Sequence, residues 1–162
     1  MIVVSNSTIL IGLARIGKLD ILNQLFGTIK LPQEVFRELV EKGEGKTGAD
    51  AVKDADWIDV SAVEDQREVA LLLTTLEKGE AETLVLAKEC HADLMLVDEE
   101  KARKSAVLAG FEVMGLLGLL LLAKKRGFLS EIRPCIEELQ QKQFRISAKI
   151  IKRVLTEAGE KV

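Results

Sequence analysis

Tyrosine is absent from this chain of 162 residues, and only five Phe, one Trp and one His accompany that absence. So few aromatic rings leave little flat surface on which bases could stack, and the core must be built from Leu, Ile, Val and Ala. The two cysteines, Cys90 and Cys135, are too few and too isolated for a disulfide framework or a zinc site, which points to a reducing environment. Nor is there a long apolar run: the most hydrophobic stretch, 113–123, is a little over half of the roughly 20 residues a membrane-crossing helix needs. The first residues show neither a basic segment nor a long apolar one, so no export signal is expected and a cytoplasmic location is.

What is present is an apolar share of 48%, enough for one domain with a real core. The net charge of −3 argues against binding nucleic acid through the whole surface, but the charge is uneven. Lys142, Arg145, Lys149, Lys152, Arg153 and Lys161 stand against Glu157 and Glu160 in residues 141–162, a local +4 on a body of −7.

Short apolar runs alternate with helical patterns. The run 2–4 reads as a doubly buried strand, followed by capping side chains at Ser5, Asn6, Ser7 and Thr8 and by a helix that Gly17 ends. Leu19, Leu22 and Leu25 continue with helical spacing to Gly27. A strand over 28–31 leads to Pro32 in the first turn of a helix carrying Val35, Phe36, Leu39 and Val40, with its end at Gly43 and a loop over 43–48. Further strands are expected at 57–60, 94–97 and 111–114, and helices over 64–76, from Gly79, and over 99–109. After Gly115 the pattern is wholly helical: 116–125, 129–140 and 146–158. In the last of these, Ile146, Ile150, Ile151, Val154 and Leu155 form a stripe opposite Lys149, Lys152 and Arg153, suited to packing on the body or on a partner. This alternation predicts an α/β fold, a doubly wound parallel sheet of about five strands with helices on both faces, plus C-terminal helices.

Ligands of such sheets bind at the carboxyl ends of the strands. Asn6 and Asp98 both fall at strand ends, Glu80 in the first turn of its helix, and Glu38 about two turns into another, with Glu34 one turn before it. Converging carboxylates repel unless a cation is bound or one stays protonated, and an oxygen-only set suits Mg²⁺ or Mn²⁺ rather than zinc. A metal held there could generate hydroxide and stabilise charge on a phosphodiester. Taken singly, each residue also has a plainer role: Asn6 and Asp98 as helix caps, Glu80 as a favourable first-turn charge, Glu38 as a solvated face.

Together, the run Ile2-Val3-Val4-Ser5-Asn6-Ser7-Thr8-Ile9-Leu10-Ile11, the Leu31-Pro32 helix with Val35, Glu38 and Leu39, the Gly79-Glu80-Ala81-Glu82 helix start, Leu96-Val97-Asp98-Glu99 with Arg103 and Ala106, and Gly115-Leu116-Leu117-Gly118 resemble a PIN domain. More narrowly, they look like the prokaryotic, VapC-like ribonuclease relatives described as predicted nucleic-acid-binding proteins. The resemblance covers about residues 1–127, leaving 128–162 as a C-terminal helical extension packed on the domain or on a partner.

The resemblance implies a Mg²⁺- or Mn²⁺-dependent endoribonuclease acting on single-stranded RNA. It further implies membership of a toxin–antitoxin pair with a small antitoxin protein as partner, a homodimer, and no membrane association. Matched residue by residue, the family's first aspartate falls on Asn6, its nearby hydroxyl on Thr8, and its helix glutamate on Glu38. The acid opening the later helix falls on Glu80, and the aspartate after the fourth strand on Asp98. The implied metal ligands are therefore Asn6, Glu38, Glu80 and Asp98, with Thr8 beside them. Asn6 is a departure: its amide oxygen can ligate but carries no charge and cannot act as a base. A catalytically weakened or inactive module that binds nucleic acid or protein is the alternative this raises.

Four other features read more simply. Glu82 lies about 200° around its helix from Glu80 and is expected to face outward. Arg103 suits a phosphate contact or a salt bridge, and His91 a helix terminus. The Gly45-Lys46-Thr47 triplet follows a helix rather than a strand and has Val40 where a phosphate-binding loop needs glycine, so it is not read as one.

Overall fold

The computed structural model describes residues 1–41 and 48–162; the expected helix end at Gly43, the loop over 43–47 and the Gly45-Lys46-Thr47 triplet lie outside the described residues. Five strands, β1 (Val3–Ser5), β2 (Ile29–Pro32), β3 (Ile58–Ser61), β4 (Leu94–Leu96) and β5 (Val113–Met114), form one all-parallel sheet in the order β3-β2-β1-β4-β5. The chain therefore winds outward from β1 to β3 and then returns to the other side of β1 with β4 and β5. The expected α/β fold is the one it adopts.

The central strands β1 and β4 are short and buried on both faces, because alternate side chains enter two different cores. Val3, Leu94 and Leu96 point into the larger one, with Leu10, Leu13, Leu119 and Leu120. Val4 and Met95 point into the other, with Ala81, Val85 and Ala106. The larger core is supplied by α1 (Ser7–Arg15), α2 (Asp20–Phe26), α3 (Gln33–Val40), α8 (Leu116–Lys125), α9 (Arg133–Gln141) and α10 (Ala148–Glu157). The smaller is covered by α5 (Gln66–Leu72), α6 (Lys78–Glu89) and α7 (Glu100–Leu108). A short α4 (Ala49–Asp54), which the hydrophobic pattern does not reveal, inserts Val52 into the larger core.

Three boundaries differ from expectation for local physical reasons. Pro32 closes β2 and occupies the cap position of α3 with extended backbone (ψ 156°), rather than lying inside the helix. The helix expected over 64–76 stops at Leu72, where Thr74 and Thr75 donate their hydroxyls to the carbonyls of Leu71 and Leu72. The helix expected from 129 begins only at Arg133, because the amides of Ile132 and Arg133 are taken by the carboxylate of Glu160, at 2.8 and 3.1 Å. Lys124 Nζ also reaches that carboxylate, at 2.9 Å, so one acid near the chain end ties α8 and the start of α9 together. Burial pushes the Glu160 carboxyl up, but the Ile132 amide, the Lys124 ammonium and the Arg133 amide outweigh it and hold it below its ordinary value.

The apolar stripe of α10 faces the body: Val154 and Leu155 are buried in the larger core and Ile151 packs against it, while Ile150 stays exposed. No helix among the described residues is long and apolar enough to cross a membrane.

Candidate active site

The strand order reverses between β1 and β4, and there the two connections diverge to opposite sides of the sheet, leaving a crevice at the carboxyl edge. Asn6 and Asp98 follow the two strands that flank it. The Asn6 amide donates to the Leu96 carbonyl at 3.1 Å, which extends the β1–β4 pairing to the edge of the crevice. The Asn6 side chain is 3% exposed and caps α1, its Oδ1 accepting from the Ile9 amide at 3.4 Å. At this position the fold thus holds a neutral oxygen already engaged by a helix end, with one lone pair to spare.

Glu80 is the third residue of α6. Its Oε1 accepts from the amide of Glu77 at 3.1 Å, and Glu77 reciprocates at the other end of a capping box. The other oxygen, Oε2, is buried without any hydrogen-bond donor. What lies within hydrogen-bonding reach is another carboxyl, that of Glu99. Burial, and then the Glu99 carboxyl, push Glu80 up to about 7, far above the ordinary carboxylate range, because the pair must share a proton or a cation to stay together. Glu99 Oε1 in turn accepts from the Thr8 hydroxyl at 3.3 Å. Thr8, Glu99 and Glu80 therefore form a continuous polar chain from α1 to α6.

Glu38 approaches from the other side. A Cβ placed on Gly79 would lie 3.0 and 3.2 Å from its two carboxylate oxygens, so glycine in the first turn of α6 leaves room for Glu38, and a larger residue would make its carboxylate draw back by a few tenths of an ångström. Gly115 does the same for Asp98. A Cβ there would lie 2.7 Å from Asp98 Oδ1 and 2.8 Å from Arg103 Nη1. Asp98 Oδ1 accepts from the Leu116 amide at 3.2 Å, so it caps α8, eighteen residues on, and not the helix that follows it. Glu99 holds that cap position instead.

The structure thus joins Thr8 and Glu80 through Glu99, sets Glu38 against the start of α6, and holds Asp98 and Asn6 at the two strand ends. Among the described residues no three acids are arranged as a ready-made metal-holding group. The donor set still fits a hard cation: it is all oxygen, and a Glu80 side chain with a buried, donorless Oε2 and a second carboxyl against it is an environment a divalent ion would satisfy.

Glu99, Gly79 and Gly115 shape the candidate site, although the sequence offered them only as members of the quoted motifs and gave them no site role. Each adjoins a predicted site residue or opens a helix, but which neighbour of Asp98 turns toward Glu80 depends on the path of the backbone after β4. One expectation is corrected. Glu82 is not at the outer surface: it is 6% exposed, and its Oε1 accepts from the Glu34 amide at 3.3 Å. α6 is covered by α3 on that side, so a residue half a turn from the site meets another helix instead of water. Glu34 pairs there with Arg37 at 2.5 Å. His91 is exposed just past α6 with positive φ (53°), as suits a helix terminus.

An open, doubly wound α/β domain with Asn6 and Asp98 at the strand ends of its switch point defines the class of this molecule. The family model DUF3368, a PIN domain, matches residues 2–160, and the chain belongs to that family. The matched residues include α9 and α10. PIN domains are generally nucleases and generally use divalent metals. No curated protein matches the chain.

Proposed function

We propose that this PIN domain is a Mg²⁺- or Mn²⁺-dependent endoribonuclease acting on single-stranded RNA, with Glu80 at the centre of its site. Two observations carry the reading: Glu80 Oε2 is buried with no donor among the described residues, and the Glu99 carboxyl lies against the same side chain. Two carboxyls kept in contact at a sheet's carboxyl edge are costly unless they share a proton or a cation, and a structural role would be better served by one acid and one amide. Glu38, Glu80 and Asp98 would hold the ion, with Asn6 contributing a neutral oxygen and Glu99 a second carboxylate to Glu80's side. When bound, the ion supplies activated water and charge stabilisation at the phosphodiester.

The chain's own residues set the geometry. Gly79 and Gly115 admit the Glu38 and Asp98 carboxylates, the Leu116 amide holds Asp98 by one oxygen, and the Thr8 hydroxyl orients Glu99. With Glu80 raised to about 7, the Glu80–Glu99 pair can take up or release a proton near neutrality, as a group handling the proton of an attacking water must. A small antitoxin that restrains the activity, and a homodimer, belong to this reading on the strength of the family resemblance.

Asn6 favours a second reading, a binding module with weakened or absent catalysis, because its oxygen is neutral and already caps α1. Incubation of single-stranded RNA with the purified protein and Mn²⁺, beside Asp98→Asn and Glu80→Gln controls, separates the two. The nuclease reading expects metal-dependent cleavage that both controls abolish. Metal-independent cleavage, or none beyond the controls, leaves the binding module.

A further inference from the structure

A cleft of about 650 Å³ opens beside Asp98, between the start of α8 and the segment that leads into α10. Its walls bring together three arginines far apart in sequence, Arg103, Arg145 and Arg153, and Asp98 is the one carboxylate among the described residues that line it. All three arginines are exposed, and no described carboxylate lies within ion-pair distance of any of them. Unpaired guanidiniums converging on one cleft repel each other and have five donors each to satisfy, which a polyanion does well. The wall that bears Arg145 is pinned to the body: Arg15 donates to the Lys142 carbonyl at 3.3 Å and its guanidinium stands 5.4 Å from the centre of the Phe144 ring. The Ser147 hydroxyl caps α10 at the Ile150 amide, which holds the helix bearing Arg153 in register with this wall.

We propose that this cleft seats the phosphodiester backbone that flanks the scissile bond, with Arg145 and Arg153 on neighbouring phosphates and Arg103 on the phosphate nearest Asp98. The seat rests on the nuclease reading above, because it shares Asp98 with that site. It makes the C-terminal helices part of substrate binding and predicts that the site acts on a strand extending past the cleaved bond in preference to a dinucleotide. The low aromatic content agrees: the strand is held by its backbone, and recognition there is tolerant of sequence.

The test measures binding of a labelled single-stranded RNA 12-mer to the full chain in EDTA over a range of salt, and cleavage in Mn²⁺, for four proteins. They are the wild type, Arg145→Ala/Arg153→Ala, Arg145→Lys/Arg153→Lys, and Lys149→Ala/Lys152→Ala, the last removing equal charge from residues of α10 that do not line the cleft. The double alanine variant should weaken binding about tenfold and flatten the dependence of log K on log salt by about 1.4, from about 0.7 per lost contact to a single strand. KM should rise with kcat retained. The lysine pair should keep the salt dependence, and the Lys149 and Lys152 variant should stay close to wild type. Equal losses in the two alanine variants, or an unchanged salt dependence in the first, overturn the proposal even if the wild type cleaves RNA. A flattened dependence confined to the cleft variant, in a protein that cleaves nothing in Mn²⁺, supports the seat and removes the nuclease reading. A wild type that binds no RNA in EDTA overturns the seat.

Discussion

Replacing Glu80 by Gln should make the metal-free protein more stable at neutral and alkaline pH while removing its activity. Gln keeps the capping oxygen for the Glu77 amide and presents an N–H to Glu99, as a protonated carboxyl would. The sign follows from the raised value. Below about 4.5 the group is protonated in both folded and unfolded chains, and Glu80 costs nothing. Between 4.5 and about 7 the unfolded chain ionises while the folded one resists, so stability falls with rising pH and levels off above 7. A carboxyl moved this far is worth about 3 kcal/mol when wholly sequestered. Glu80 is only half-buried, and solvent screening reduces this to about 1 kcal/mol, or about 2–4 °C in Tm for a chain of this size. Thermal unfolding in EDTA at pH 4.5, 6 and 8 measures it: the two proteins should coincide at pH 4.5, with Gln ahead by about that margin at pH 8. Mn²⁺ should then raise the Tm of the wild type and leave the variant nearly unmoved. A gap that is absent at pH 8, or equal at all three values, would refute the account of the Glu80–Glu99 pair.

Gly79→Ala should keep or slightly raise stability, since alanine favours a helix by about 1 kcal/mol, while Mn²⁺ affinity falls as Glu38 is pushed away; titration calorimetry that finds the affinity intact would show that Glu38 does not serve the site. Asn6→Asp should leave the α1 cap in place, because Asp caps as well as Asn, and raise Mn²⁺ affinity about tenfold through the added charge. Unchanged affinity would mean that Asn6 lies outside the ion's reach. Glu160→Gln should destabilise by about 2 kcal/mol by weakening the bonds to Ile132, Arg133 and Lys124. The wild-type Glu160 carboxyl is held low, so its contribution is present above the unfolded value and is lost as pH falls through the folded one. Denaturant unfolding should accordingly show the gap between the two proteins closing on acidification, and a constant gap would contradict the assignment.

The architecture was legible because most strands are short apolar runs and most helices carry their own period, and these are local properties; α4 carries none. The positions of Asn6 and Asp98 at strand ends, of Glu80 in a first helix turn and of Glu38 about two turns into its helix followed from the same local reading. Other features rest on distant partners. Glu160 shortens α9 from nearly thirty residues away, and Asp98 caps α8 instead of the helix it precedes. Glu82 has the angular offset of a solvent-facing residue, yet another helix lies where water was expected.

By itself the sequence determined an α/β chain with carboxylates near strand ends and helix starts, few aromatics and a basic end, because composition and period depend on nothing beyond a few neighbouring residues. Only the tertiary structure decided which carboxyls meet. It turned Glu99 toward Glu80, left one buried oxygen without a donor, and drew Arg103, Arg145 and Arg153 to one cleft beside Asp98. Those juxtapositions arise where elements distant in the chain pack together at the edge where the strand order reverses, and the energy of two facing carboxyls or three converging guanidiniums exists only once they do.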